Sequence, residues 1–314
     1  MMRRAFSTVR GATISPWAQA PSLAQVMNPA GRKIEAAGAE CETINLSLDE
    51  ASGVATVELN RPDKANAANM RMWWELQHAF RAIDTDERCR AALLVGAGKF
   101  FCSGMDLSVF AQMDAAMTAE PCEARAREGL ARLIDFLQDA CSAAERCRVP
   151  VIAAIDGPCI GGGLDIATAC DLRLCSERAV FSVKEVDLAI VADLGVLQRL
   201  PTLVGDQRAR ELAYTARMVP GAEAQQIGLV LECVEGDGAA LLARATALAE
   251  DIASKSPLAV RGVKQTMLHA RDSASVAEGL HMVKDLNCSM LFSEDLTAAM
   301  GAAMAKKHPS YRST

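Results

Sequence analysis

The sequence predicts an α/β fold, and three patterns predict it. Two short apolar runs, residues 91–95 and 150–155, each lead into glycine, the way a buried strand enters a loop. Residues 43–48 and 54–59 alternate apolar and polar side chains around the turn-rich stretch 49–53, as a β-hairpin does. Helical spacing fills the intervals between strands and takes over completely after Gly238.

Taken in order, the hairpin comes first. Asn69 then caps a helix through about Ile83, with Met70, Trp73, Leu76, Phe80 and Ile83 on its apolar side. This aromatic stripe reads as core packing rather than as a cofactor box. After the strand 91–95 comes the loop 99–107. Residues 122–148 hold one glycine and no internal proline, and read as a single long helix. The strand 150–155 runs into a glycine-rich turn and a helical segment, 164–170. Four helices follow: about 238–254, 257–270 from Pro257, 274–292 and 294–306. The expected division is a leader and N-terminal segment (1–40), an α/β body (41–237) and a helical C-terminal region (238–314).

Composition narrows the function classes. The 314-residue chain is 51% hydrophobic, ample for a buried core, and its formal net charge of −6 does not suit nucleic acid. No Asp or Glu precedes Glu35, and Arg3, Arg4 and Arg10 stand among hydroxyl residues, so the N-terminus has the composition of a mitochondrial transit segment. Eleven cysteines lack any Cys-x-x-Cys pair and read as reduced thiols, mostly buried. The histidines at 78, 269, 281 and 308 have no ligand spacing, so no metal site is expected. The apolar stretch 149–170 is broken by Asp156, three glycines and Asp165, which argues against a membrane span.

Three carboxylates define the candidate chemistry: Asp165, Glu185 and Asp193, each in an otherwise apolar segment. An ionised acid there costs free energy unless it is paired, hydrogen-bonded or used in chemistry. Each also has an ordinary structural reading: Asp165 complementing a helix dipole, Asp193 capping 194–200, Glu185 paired with Lys184. Gly161, Gly162 and Gly163, at the start of a helical segment, would present backbone N–H groups suited to a developing negative charge, and the loop 99–107 has the same strand-end character.

These segments resemble a known family. Asn60-Arg61-Pro62, Phe101-Cys102-Ser103-Gly104-Met105-Asp106-Leu107, Cys159-Ile160-Gly161-Gly162-Gly163-Leu164-Asp165 and Leu197-Gln198-Arg199-Leu200-Pro201 are similar to signature segments of the crotonase, or enoyl-CoA hydratase/isomerase, superfamily, in register from about Thr43 to Ala305. The resemblance implies a crotonase-type spiral of β-β-α units, a C-terminal helical trimerisation region, a homotrimer or a dimer of trimers, and an acyl-coenzyme A substrate. It implies no metal, flavin or nicotinamide cofactor, coenzyme A being part of the substrate.

Carried onto this chain, the resemblance assigns the oxyanion-hole N–H groups to Met105 and Gly162. Further substrate contacts fall to Arg61, Lys64, Gly161, Gly163 and Leu164, and Lys264 or Lys255 of a neighbouring subunit are further candidates for the coenzyme A phosphates. Hydratases resemble the chain at Glu185 but carry Glu at position 165 and typically Gly at position 193. Asp165, Glu185 and Asp193 together resemble the dienoyl-CoA isomerase branch, in which Glu185 would take a proton at C2, Asp193 would return one at C6, and Asp165 would tune or orient Glu185. Alternative readings are a hydratase or Δ3,Δ2-enoyl-CoA isomerase of the same fold, and a non-catalytic acyl-CoA-binding assembly protein. Peroxisomal relatives close with a Ser-Lys-Leu type tripeptide, and this chain closes with Arg312-Ser313-Thr314, so mitochondrion is the expected address.

Overall fold

The computed structural model describes Leu23, residues 41–273 and residues 275–312. Apart from Leu23, the transit-like segment lies outside the described residues, as do Ser313 and Thr314. The hairpin forms as the alternation predicts, β1 (Ile44–Asp49) pairing antiparallel with β2 (Val54–Leu59). Helix α1 (Met70–Thr85) starts at Asn69, whose side chain accepts the Met72 N–H at 2.9 Å. Its buried Glu75 takes the N–H groups of Glu42 and Thr43, each at 2.8 Å, which ties α1 to the start of β1.

Strand β3 (Ala91–Gly96) leads through the loop to α2 (Leu107–Ala119) and α3 (Glu123–Cys141). The long helix expected over 122–148 is broken: α3 ends at Ser142, and a short α4 (Ala143–Arg146) follows. Ser142 keeps near-helical angles but spends its hydroxyl on Arg199, a tertiary contact that local periodicity does not report. Next come β4 (Val151–Ile155), β5 (Pro158–Ile160), α5 (Gly162–Thr168), β6 (Leu172–Ser176) and β7 (Val180–Ser182). Helices α6 (Val196–Val204) and α7 (Asp206–Thr215) precede β8 (Val219–Pro220), α8 (Gly221–Gln226) and β9 (Glu232–Val234). The C-terminal region holds α9 (Gly238–Ala253), α10 (Pro257–Asp272), α11 (Val276–Met290) and α12 (Glu294–Ala305).

One sheet runs in the order β1-β2-β3-β4-β6-β9, parallel except for the hairpin; a second holds β5-β7-β8. Alternation along the central strands sends side chains to both faces of the larger sheet. Leu94, Val151, Ala153 and Cys175 join the cluster that holds Trp73, Leu76 and Phe80 of α1, with Leu133 and Leu137 of α3. Leu93, Ile152 and Leu174 face the other way, onto Leu241, Ala245, Ala249 and Ala253 of α9. The small residues at four-residue spacing let α9 lie close on the sheet. Burying a Leu or Ile here contributes roughly 1.5–3 kcal/mol relative to exposure. Both faces being covered, the strands feed their C-terminal ends into loops, and the two glycine loops meet there.

Candidate active site

Two loops come together at the ends of β3 and β5. Residue pairs Ala68–Met105 and Cys102–Cys159 form isolated parallel bridges, which lock the loop 99–107 against the start of α1 and against β5. In the first bridge the Ala68 N–H bonds the Gly104 carbonyl at 2.7 Å and the Asp106 N–H bonds the Ala68 carbonyl at 3.0 Å. This pattern turns the N–H of Met105, the residue between them, away from Ala68. Gly162 is the first residue of α5, where no preceding carbonyl of the helix accepts its N–H. The loops touch. Gly104 takes φ +95°, and a Cβ added there would lie 3.0 Å from the Ile160 carbonyl oxygen and 3.4 Å from the Gly162 nitrogen.

A cavity of about 470 Å³ opens over this junction. Met105 and Gly162 line it, as do Asp165, Glu185 and Asp193, so the groups singled out in the sequence share one chamber. Gly161 and Lys64 line it as well, Lys64 being exposed. Gly163 and Leu164 do not. A Cβ on Gly163 would meet the Cys102 carbonyl at 2.6 Å, and Leu164 is 2% exposed within the core. Both serve packing, because the helix turns those positions away from the cavity. Arg61 also stays outside, its guanidinium held by Asp106 at 2.8 Å and by the Ala67 carbonyl, so it braces the loop rather than facing a ligand.

The acids sit in graded surroundings. Asp165 is 1% exposed and accepts the Val196 N–H at 2.7 Å. Burial, and next the neighbouring Glu185 charge, push its carboxyl up to about 8. Asp165 therefore holds a proton near neutrality, and Glu185 faces a neutral neighbour. Glu185 opens the turn Glu185–Leu188, which closes on Ala189 at φ 58°. Its Oε2 is buried and has no hydrogen-bond partner among the described residues. Burial raises this carboxyl too, and the Asp193 charge adds to the rise. Asp193 stands at the exposed rim, its carboxyl raised by partial burial and its carbonyl held by Gln138 at 2.7 Å.

Two local expectations are corrected here. Lys184 pairs with Asp187, not Glu185, because the tight turn brings its third residue back to the lysine. Gly195, not Asp193, is the N-cap of α6, and the first N–H of that helix goes to Asp165. Sequence reasoning also missed the apolar part of the lining: Leu107, Phe110, Leu188, Ile190 and Leu194. The one signal available in the sequence was that apolar Leu188 and Ile190 follow Glu185 within five residues; their exposure comes only with the fold.

A family model described as enoyl-CoA hydratase/isomerase matches residues 49–314. The chain belongs to the enoyl-CoA hydratase/isomerase family. Among curated relatives of this family, the peroxisomal Delta(3,5)-Delta(2,4)-dienoyl-CoA isomerase of Arabidopsis thaliana is 46% identical, over 83% of this chain and 93% of its own length. The mitochondrial Delta(3,5)-Delta(2,4)-dienoyl-CoA isomerase of Homo sapiens is 45% identical over 81% of this chain and 77% of its own. The solved enoyl-CoA hydratase of Bacillus anthracis superposes with a TM-score of 0.76 at 31% identity, covering 87% of this chain and 100% of that one. The crotonase-type α/β fold expected from the sequence is thus established.

Coenzyme A contacts proposed for lysines divide. Lys264 is buried, and its ammonium is spent on the Ala144 and Val149 carbonyls, each at 3.0 Å, and on Asp171 at 2.7 Å. It serves the fold of its own chain, and no donor remains for a phosphate. Lys255 is exposed and paired with Asp251. No described helix is long and apolar enough to cross a membrane.

Proposed function

We propose that the chain is a Δ3,5-Δ2,4-dienoyl-CoA isomerase. The observation that carries the reading is the convergence of Asp165, Glu185 and Asp193 on the cavity lined by Met105 and Gly162. The relatives named above support it. Moving both double bonds of a 3,5-dienoyl thioester into 2,4 conjugation takes one proton from C2 and adds one at C6. Two separated proton-transfer groups suit that demand better than one.

In this reading Glu185 takes the C2 proton, and charge flows to the thioester oxygen, held by the N–H groups of Met105 and Gly162. The electrons return through the diene as Asp193 delivers a proton to C6, which leaves double bonds at C2 and C4. Glu185 ends protonated and Asp193 ionised; Glu185 gives its proton up to water in the cavity and Asp193, at the exposed rim, takes one from water, which resets both for the next turnover. Asp165, protonated beside Glu185, keeps the base from sharing its cavity with a second buried negative charge. Metal, flavin and nicotinamide have no part in this proton transfer.

Lys64 is the proposed contact for a coenzyme A phosphate. Exposed Leu280, Leu291, Phe292, Met300 and Met304 on and between α11 and α12 support self-association as a homotrimer or dimer of trimers. The acid-free N-terminal composition supports a mitochondrial matrix address. The test is turnover of a 3,5-dienoyl-CoA, read as growth of the conjugated-diene ultraviolet absorbance. Hydration of a 2-enoyl-CoA without diene formation would replace the proposal with a hydratase, and coenzyme A binding without any turnover would replace it with a binding protein.

A further inference from the structure

Arg199 belongs to the segment Leu197-Gln198-Arg199-Leu200-Pro201, and the chemistry above gives it no task. Its guanidinium is nearly enclosed: Nε and Nη2 grip the two oxygens of Glu145 at 3.1 and 3.0 Å, and Nη2 also reaches the Ser142 hydroxyl at 2.9 Å. Nη1 is buried and has no hydrogen-bond partner among the described residues. A Cβ placed on Gly195 would lie 2.0 Å from Nη1, so that nitrogen presses on the underside of the turn at Gly195, where φ is +122°. The same turn carries Asp193 on one side and, on the other, the Val196 N–H that Asp165 accepts.

We propose that Arg199 is a positioning residue for the proton-transfer site. Its guanidinium, anchored on Glu145 and Ser142 of the α3–α4 junction, fills the space under Gly195 and fixes where Asp193 and Val196 stand relative to Asp165. Arginine suits this task, because its planar fork takes two carboxylate oxygens and still presents a third nitrogen in a fixed direction. Glu145 is braced from behind by Arg271, which is itself paired with Asp272 on α10. The catalytic consequence rests on the isomerase reading; the geometric role does not.

Arg199 also contributes charge. Asp165 is faced by Glu185 and Asp193, by Arg199 itself, and by the thiols of Cys141 on α3 and Cys159 on β5. Arg199 is the cation in that set, opposing the rise that burial and the two acids impose.

The experiment compares full-length wild type, Arg199→Met and Arg199→Lys. Thermal melts check folding, kcat and KM are measured on a 3,5-dienoyl-CoA, and the Asp165 titration is followed by carbon NMR of labelled aspartate, assigned with Asp165→Asn. Arg199→Met is expected to lower kcat about tenfold to a hundredfold, with KM within about threefold, and to raise the Asp165 midpoint. Arg199→Lys should leave that midpoint near wild type and still lose kcat several-fold, because it retains charge without the fork. A folded Arg199→Met with unchanged kcat and an unmoved midpoint overturns the proposal. Should Arg199→Met not fold, wild-type kcat in Arg199→Lys overturns it. Wild type inactive on every dienoyl-CoA would end the isomerase reading alone, and the backbone amide resonances of Asp193 and Val196 would then decide the positioning role, resonances unmoved in folded Arg199→Lys overturning it.

Discussion

Asp165 Oδ1 accepts the backbone N–H of Val196 at 2.7 Å, joining the first turn of α5 to the first turn of α6 across 31 residues of chain. One carboxyl thereby closes the cavity floor and satisfies a helix-start donor that has no acceptor within α6. A neutral carboxyl can do both, keeping one oxygen as acceptor and a proton on the other. The bond is thus compatible with the protonated state that burial favours.

Stability should fall with rising pH through this group. Its folded value, about 8, lies above the ordinary 3.8, so between these values the native state holds a proton that the unfolded chain has released. Stability from this group is complete below about pH 4, declines by up to about 1.4 kcal/mol per pH unit, and is lost above about pH 8. Asp165→Asn keeps an acceptor for Val196 and carries no charge. Denaturant melts at pH 5 and pH 8 should show the variant gaining on wild type at the higher pH; parallel curves would contradict the raised carboxyl.

Asp193→Asn should separate the two proton transfers. Turnover is expected to fall roughly 10²- to 10⁴-fold, the usual worth of one general acid, with the melt unchanged. Glu185 remains, so the variant should still exchange the C2 hydrogen of substrate with deuterated water, seen by mass spectrometry. Glu185→Gln should lose both exchange and turnover. Equal exchange in the two variants would reverse or void the assigned roles.

Local signals made much of this legible. The hairpin alternation, the Asn69 cap and the glycine loops each depend on neighbours within a few residues, and each appears where the pattern puts it. Asp165, Glu185 and Asp193 stood out because acids are costly in apolar segments. What escaped depends on distant partners. The interruption between α3 and α4 at Ser142 lies beside Arg199, Gly163 answers to Cys102, and Asp165 accepts the helix-start N–H that adjacency would leave to Asp193. Leu188 and Ile190 look like core residues by type, and only the turn at Glu185 exposes them along the cavity.

Gly104→Ala should weaken both fold and site. At φ +95° a Cβ is strained, and it would also sit 3.0 Å from the Ile160 carbonyl oxygen, which is backbone and cannot swing aside. A loss of about 1–3 kcal/mol is expected in denaturant melts. Because Gly104 precedes Met105 and abuts Gly162, kcat should drop at least about tenfold even at temperatures where the variant stays folded, the scale of a displaced oxyanion donor. Wild-type kcat in folded Gly104→Ala would separate this loop from the chemistry.

The two lysines named for coenzyme A should respond in opposite ways. Lys264 is 7% exposed, and removing its ammonium leaves the Asp171 carboxyl with the Val151 N–H but no cation and takes a donor from two carbonyls, so Lys264→Met should cost about 3–5 kcal/mol in a denaturant melt. KM of the folded fraction should not move, because the bonded ammonium has no donor left for a ligand. Lys64 is exposed beside the cavity, and its loss leaves no buried group unpaired. Lys64→Ala should therefore leave the melt unchanged and raise KM about two- to fivefold, as expected for one solvent-screened ion pair to a phosphate, with the difference shrinking as salt is added. A rise in KM for Lys264→Met, with Lys64→Ala silent, would move the phosphate contact away from the cavity edge that Lys64 occupies.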